Sequence, residues 1–546
     1  MAEAEKLGPF DPETKPLWGV PFAVKDNIDV AGMPTTAACP AYSYLPDADA
    51  AVVEGLRAAG ALVIGKTNLD QFATGLVGTR TPFPIPKNAV NPALIPGGSS
   101  SGSAVAVAQG IVSFALGTDT AGSGRIPAGL NGIVGLKPSL GALSTRGVVH
   151  ACRSLDCVSI FTSTFGDAAR VFQTARGYDP LDPFSRTFED SRQPAPARRP
   201  RVGVPRLQDR RFFGDKAAEN AYERYLADLD GRDVEVVEIT FQPFYEVAEL
   251  LYEGPWVAER YAAIEPFIEE KPEDLHPVTR SIIAKARDFS ATDAFKGLYR
   301  LAELKRVTQK ILETIDLLCV PTAPTWYTVP EVLGEPVITN SNLGTYTNFV
   351  NLLGLCGIVV PTGRQSDGRP ASVNILGPDG ADEFVAGFAG NLASGIKAEE
   401  RQSSEAPMAP ETADIIEIAV VGAHLSGLPL NHELLDLGAQ YRRTTSTRRD
   451  YRLFELPGTM PPKPGLLRVA EGGGFPIEVE IWSMSPSAFG TFVSRIPSPL
   501  GIGALRLEDG TECKGFLVEA EATTGARDVS TYGGWRNFVR SQDAVA

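Results

Sequence analysis

The sequence predicts an α/β fold followed by a smaller, strand-rich α+β domain. Three observations carry that prediction. From residue 17 to about 180, short apolar strands, glycine turns and small-residue helices alternate, the pattern of a sheet covered by helices. Residues 215 to 315 are helical in composition, as in AAENAYERYLADL and AFKGLYRLAELKRVTQKILETI. Beyond a polar break at residues 401–412 (RQSSEAPMAPET), the apolar runs become short and strand-like.

Taken in order, the run Gly19-Val-Pro-Phe-Ala-Val reads as an apolar strand that ends at Lys25. Asp47 to Ala59 reads as a helix, and Ala61-Leu-Val-Ile64 as the buried strand after it. Residues 180–205 are rich in proline and charge and read as a long surface connection, with Val202-Gly-Val-Pro205 opening a new strand. Strand-like runs return at Leu317–Val320, Gly357–Pro361 and Ser372–Ile375. After the break come Ile415–Val421, Ile477–Ile481 with period-two alternation, and Gly515–Glu519. The expected division is a first domain over residues 1–400, a linker over 401–412 and a second domain over 413–546.

Composition narrows the function. The 546 residues are 43% hydrophobic and 21% charged, which supports a large core and argues against a mostly disordered chain. Fifty-one basic against 66 acidic residues leave a net charge of -15. Nucleic acids and anionic membranes both require an electropositive face, so neither is an expected partner. A small cationic pocket for an anionic substrate remains compatible. The N-terminus MAEAEKLGPFDPETK has no apolar core of a signal peptide, and Ala104–Gly117 is too short to span a bilayer. A cytoplasmic location is expected.

The six cysteines show no CxxC spacing and sit mainly in apolar runs, so they read as reduced core thiols. The four histidines (His150, His276, His424 and His432) form neither HxxxH nor HExxH. No metal site is expected, and no cofactor is implied. Gly60-Ala-Leu-Val-Ile-Gly-Lys-Thr67 satisfies the GxxxxGK[ST] phosphate-loop pattern. Its variable residues form an apolar strand whose N–H groups belong to a ladder, so it reads as a strand end, not an ATP site.

The most informative stretch is Pro96-Gly-Gly-Ser-Ser-Ser-Gly-Ser103, followed by an apolar segment and Thr118-Asp-Thr-Ala-Gly-Ser-Gly-Arg125. A glycine-serine run of this kind is usually a linker. Here both runs abut compact apolar segments, which hold the glycines inside the domain. Serines on such turns can face a pocket while nearby N–H groups remain free for an oxyanion. Serine needs a base, and histidine is scarce. Lys25, at the end of an apolar strand, is the alternative, since burial without a carboxylate partner lowers an amine's pKa. Pairing with adjacent Asp26 would instead keep Lys25 charged. Composition leaves both readings open.

Together, Lys25, the GGSSSGS run, the TDTAGSGRIP run and Gly135-Leu-Lys-Pro138 resemble the amidase signature family over residues 17 to 400. The usual GGSSGGS reads Gly-Gly-Ser-Ser-Ser-Gly-Ser here, and the usual Gly-Gly-Ser reads Ala121-Gly-Ser123; small residues are retained in both. The resemblance implies a mixed central sheet covered by helices and a catalytic triad of Lys25, Ser99 (after a cis peptide) and Ser123. It places the oxyanion hole on the N–H groups of Thr120, Ala121, Gly122 and Ser123. Ser123 would attack an amide carbonyl while neutral Lys25 takes the proton through Ser99.

The Thr-Ala-Gly-Ser-Gly-Arg variant, together with Tyr252-Glu-Gly-Pro-Trp-Val-Ala-Glu-Arg-Tyr261 and Leu343–Leu352, resembles the allophanate hydrolases within that family. The resemblance implies Tyr252 and Arg260 as the clamp for a small anionic amide. Eight residues along one helix turn about 800°, leaving the two about 80° out of alignment. The competing reading of Arg260 is a surface arginine paired to Glu259 or nearby acids. The tail, with Val421-Gly-Ala-His424 and Gly533-Gly-Trp-Arg536, resembles the extra γ-glutamylcyclotransferase-like domain of these enzymes. There His424 would be an acid-base residue in decarboxylating the product, or else locally satisfied in a structural module. The implied function is allophanate hydrolysis in urea degradation. The alternatives are a malonamate-type small-acid amidase and the glutaminase subunit of a tRNA-dependent amidotransferase. A homodimer is implied, as is coupling to a separate biotin-dependent urea carboxylase, since no Met-Lys-Met biotin motif is present. Only 24 residues precede Lys25 where relatives carry further helices that pack and dimerise, so the chain is expected to start late.

Overall fold

The computed structural model describes residues 7–188 (except 9 and 12), 199–394, 416–458, 461–484 and 486–543. The expected linker at 401–412 and part of the expected 180–205 connection lie outside them. The chain divides into two compact units, residues 1–408 and 409–546.

Ten strands form the first unit's sheet: β1 (Pro21–Lys25), β2 (Leu62–Thr67), β3 (Phe114–Asp119), β4 (Val134–Lys137) and β5 (Cys157–Thr162), then β6 (Arg201–Pro205), β7 (Glu235–Ile239), β8 (Leu317–Pro321), β9 (Cys356–Arg364) and β10 (Pro370–Gly377). Their spatial order is β2-β1-β3-β5-β4-β9-β10-β8-β6-β7. The sheet is mixed: β2, β1 and β3 run parallel, as do β8, β6 and β7, and antiparallel pairs join the two groups. Helices cover it, and the core lies between them and the central strands. Phe22 and Phe114, for instance, stack at 4.8 Å with almost no exposure.

Several expected elements shift. The helix read over 47–59 is α1 (Ala51–Ala58). Asp49 is spent outside the helix, where its carboxylate takes the Ala31 N–H and the Arg57 guanidinium. The strand read as buried is β2, at the sheet edge, with Ile64 56% exposed. The GxxxxGK[ST] match therefore falls on an edge strand, Leu62 to Thr67 pairing with β1 across a register shift at Ile64. Strand β7 interrupts the region that composition marks as wholly helical; its residues are only half covered at the far sheet edge.

The second unit holds a five-stranded sheet in the order β12-β15-β11-β17-β16 and a three-stranded sheet in the order β14-β13-β18. These strands are β11 (Ile416–Val420), β12 (Gln440–Ser446), β13 (Tyr451–Glu455), β14 (Pro464–Arg468), β15 (Glu478–Met484), β16 (Leu500–Arg506), β17 (Glu512–Val518) and β18 (Arg527–Asp528). Strand β15, read as alternating, is buried from Val479 onward because elements cover both of its faces.

The topology gathers three loops. Parallel β2, β1 and β3 all end at one edge, and ligand sites of α/β sheets form outside such carboxyl ends. Lys25 closes β1, residues 68–80 follow β2, and residues 120–125 leave β3 after Thr118 and Asp119 close it. The last turn is built on a buried ion pair. Asp119 accepts Arg125 Nε and Nη2 bidentately (2.9 Å each) and the N–H groups of Gly122 and Gly124 (2.9 Å each). Both side chains are fully buried. Burial opposes ionisation of Asp119, yet the Arg125 guanidinium and the Gly124 N–H outweigh it and hold the carboxyl below its usual pKa. Removing one member of such a pair strands the other charge. Asp119→Asn should therefore destabilise the first unit by about 3–5 kcal/mol, read as a fall in its denaturation midpoint; a change under about 0.5 kcal/mol, the usual range for surface substitutions, would contradict this account of the turn.

Candidate active site

Lys25 is fully buried, and its partners are hydroxyls. The amine lies 2.7 Å from Ser99 Oγ and 2.7 Å from Thr118 Oγ1. Burial pushes its pKa down to about 7, against the more distant charges of Asp70, Asp156 and Asp119. The alternative pairing with Asp26 is not formed. Asp26 turns away to Lys66 (3.1 Å) and to the N–H and hydroxyl of Thr36. The lysine of the false phosphate-loop match thus serves as counter-ion to the one acid adjacent in sequence to Lys25.

Ser99 follows a cis peptide bond from Gly98. A Cβ at position 98 would lie 2.0 Å from Asp70 Oδ2, so only glycine fits there. The Ser99 carbonyl accepts the Asp70 N–H (3.0 Å). Ser123 sits on the turn shaped by Asp119, and its hydroxyl contacts the Gly75 carbonyl at 3.4 Å. Gly122 adopts φ +131°, and a Cβ there would meet Thr347 Oγ1 at 2.4 Å. The site tolerates no side chain beside Ser123.

The oxyanion set needs one correction. The Gly122 N–H is committed to Asp119 Oδ1 (2.9 Å) and is spent on the turn. The N–H groups of Thr120, Ala121 and Ser123 carry no hydrogen bond among the described residues. Thr120 is tied through its hydroxyl to Asp156 (2.5 Å), which also takes the Ala151 N–H and His150 Nδ1. Among the described residues no histidine hydrogen-bonds to Ser99 or Ser123.

The Tyr252–Arg260 arrangement needs another. The two do not share a helix. Tyr252 lies near the end of α2 (Gln242–Glu253) and Arg260 lies in α3 (Trp256–Glu270), with a break at Gly254-Pro255. That break, which a single-helix count misses, brings them together: the guanidinium carbon sits 5.1 Å over the Tyr252 ring, and Nη2 lies 3.5 Å from its hydroxyl. Arg260 is only 1% exposed, and its Nη1 reaches Thr74 Oγ1 at 3.3 Å. Its Nε is buried without a partner, and it forms no ion pair among the described residues. The surface pairing with Glu259 is overturned, because Glu259 instead binds the N–H and hydroxyl of Ser154 (2.7 and 2.8 Å).

Sequence reasoning missed Thr118, Asp119, Asp70, Thr74 and Arg80. Thr118 and Asp119 open the TDTAGSGR run and were within reach of it. The others lie in a loop without a recognisable pattern.

In the second unit, His424 lines a cavity of about 140 Å³ with Glu433, Lys463, Phe492, Arg495 and Phe516. Its Nε2 lies 2.9 Å from Glu433, and its ring stacks on Phe516 at 5.3 Å. Burial lowers the imidazole pKa, with Glu433 opposing. Among the described residues no group of three or more His, Cys, Asp or Glu could hold a metal ion, and no helix is long and apolar enough to cross a membrane.

Comparison with known proteins gives a consistent placement. The Amidase family profile matches residues 1–385, and the profile of the allophanate hydrolase C-terminal domain matches residues 416–540. The solved structure of Kluyveromyces lactis allophanate hydrolase is 41% identical, with a TM-score of 0.71, and covers 99% of this chain and 91% of that one. Saccharomyces cerevisiae urea amidolyase is 44% identical over 96% of this chain, which spans only 30% of that relative's length. A glutamyl-tRNA(Gln) amidotransferase subunit from Thermoanaerobacter pseudethanolicus is 34% identical, over 67% of this chain and 80% of its own. With both profiles matched in sequence, the chain belongs to the amidase family of amide C–N hydrolases, in the group that carries the allophanate hydrolase C-terminal domain.

Proposed function

We propose that the chain hydrolyses allophanate, with Lys25, Ser99 and Ser123 as its triad and Tyr252 and Arg260 as the carboxylate clamp. The single observation that carries the substrate reading is Arg260: a buried guanidinium with an unpartnered Nε and no carboxylate on it. Such a charge is costly to bury unpaired, and a substrate carboxylate is the partner that would complete it. Among the described residues its direct contacts are neutral, the Tyr252 ring and hydroxyl and the Thr74 hydroxyl, while Asp156 and Glu259 act on it only through space.

The chemistry follows from charges and protons. Neutral Lys25 takes the Ser99 proton as Ser99 takes that of Ser123, and Ser123 Oγ attacks the terminal amide carbonyl. The N–H groups of Thr120, Ala121 and Ser123 meet the oxyanion. The proton returns through Ser99 to the departing nitrogen, which leaves as ammonia. Water then cleaves the acyl-enzyme and frees N-carboxycarbamate. Loss of CO2 leaves carbamate, which breaks down to ammonia and a second CO2. His424, held by Glu433 in a small cavity, is the residue proposed to assist that decarboxylation. Coupling to a biotin-dependent urea carboxylase is proposed as the source of the substrate, in keeping with relatives named urea amidolyase that are about three times as long.

Ammonia release from purified protein, assayed separately with allophanate, malonamate and glutamine, tests the substrate. Allophanate should be preferred by at least about tenfold, the scale of 1.4 kcal/mol; preference for malonamate or glutamine would select one of the alternatives instead. Ser123→Ala should abolish release, and Arg260→Ala should raise KM for allophanate far more than for acetamide. The pH profile has a fixed sign. The base works when neutral, so with a pKa of about 7 kcat/KM should fall about tenfold per pH unit below neutrality and stay level above it; a profile level down to pH 5 would exclude Lys25 as the base. His424→Ala should leave the first ammonia release intact while slowing CO2 release, and unchanged CO2 release would make the second unit's role structural.

A further inference from the structure

The loop after β2 carries a second buried arginine that neither the triad nor the clamp uses. Arg80 is 1% exposed. Its Nη1 donates to the Thr74 carbonyl (2.9 Å) and its Nη2 to the Pro336 carbonyl (2.8 Å). Its Nε is buried without a partner, and it forms no ion pair among the described residues. Thr74 therefore stands between two guanidiniums, giving its carbonyl to Arg80 and its hydroxyl to Arg260 (3.3 Å). The next carbonyl, that of Gly75, is the one Ser123 touches. A single dipeptide thus touches both the group that would hold the carboxylate and the group that would attack the amide.

The backbone here is held against its preferences. Phe72 and Ala73 have φ +49° and +51°, left-handed values that side-chain-bearing residues seldom adopt. Such conformations persist only where the surroundings over-determine them. Asp70 supplies part of that restraint, since its carboxylate accepts the N–H groups of Val77, Gly78 and Arg80. Arg80 adds to it by fastening the Thr74 carbonyl to Pro336 from the far side, beside the bonds from the Phe72 N–H to the Ala37 carbonyl and from the Leu76 N–H to Asn340 Oδ1.

We propose that Arg80 is a specificity-determining positioning residue: through Thr74 it fixes Arg260 relative to Ser123 and so favours an anionic amide over a neutral one. It also places a second positive charge behind the clamp, which favours a carboxylate over a neutral group. The proposal rests on the reading that Arg260 meets the substrate carboxylate, and it assigns a new role to residues that do not touch substrate.

The test is a double-mutant cycle on allophanate and acetamide. Thr74→Val removes only the hydroxyl at nearly constant shape and serves where Arg80→Met fails to fold. Each variant should raise KM for allophanate about tenfold, the scale of coupling between groups in one network, with kcat held within a few-fold and a loss on acetamide at least about fivefold smaller. Arg80→Lys should recover part of the loss. In an Arg260→Ala background both variants should cost little more. Equal losses on both amides, or a full loss persisting in that background, would overturn the positioning role. If Arg260→Ala alone costs both amides equally, the carboxylate reading itself falls, and this proposal falls with it.

Discussion

An amine enclosed without an acid is the constraint on which the rest of the site depends. Lys25 is fully buried against two hydroxyls, and water is excluded from stabilising its charge. The chain must then keep carboxylates out of contact with it. It does so by giving each nearby acid other work: Asp26 binds Lys66, Asp119 binds Arg125, Asp70 binds three backbone N–H groups, and Asp156 binds the Thr120 hydroxyl and the N–H groups of Ala151 and Cys152. The acids organise loops, and the amine stays available as a base.

Those same acids define the geometry of the site. Asp119 folds the turn that bears Ser123, and Asp70 both folds the 70–80 loop and ties its own N–H to the Ser99 carbonyl. Glycine is required wherever these carboxylates and turns approach each other, as at Gly98 against Asp70 and Gly122 against Thr347. Parallel β2, β1 and β3 supply the common edge from which all three loops leave. Arg260 joins this assembly through the Thr74 hydroxyl, and its helix does so through Phe267 against Phe72. Charge, turn and strand order therefore act as one unit.

What the sequence made legible follows from where information is local. Lys25, Ser99 and Ser123 lie in short runs whose residue types carry their chemistry, and the structure brings Lys25 to Ser99 across 74 positions. The α/β class and the strand-rich tail were readable from hydrophobic periodicity. Long-range partners were not. Nothing local says that Asp26 would choose Lys66, that Glu259 would choose Ser154, or that Gly254-Pro255 would fold Tyr252 back toward Arg260. Arg80 was invisible because its partners are backbone carbonyls, which any sequence offers. Edge position likewise escaped periodicity, as β2 shows.

The charge state of Lys25 can be measured without reference to turnover. Protein labelled with 13C at lysine Cε, compared with Lys25→Met to assign the missing resonance, gives that amine's titration directly. The account predicts a midpoint near 7, with the neutral amine dominant at pH 8. A resonance that stays protonated to pH 10 would contradict it.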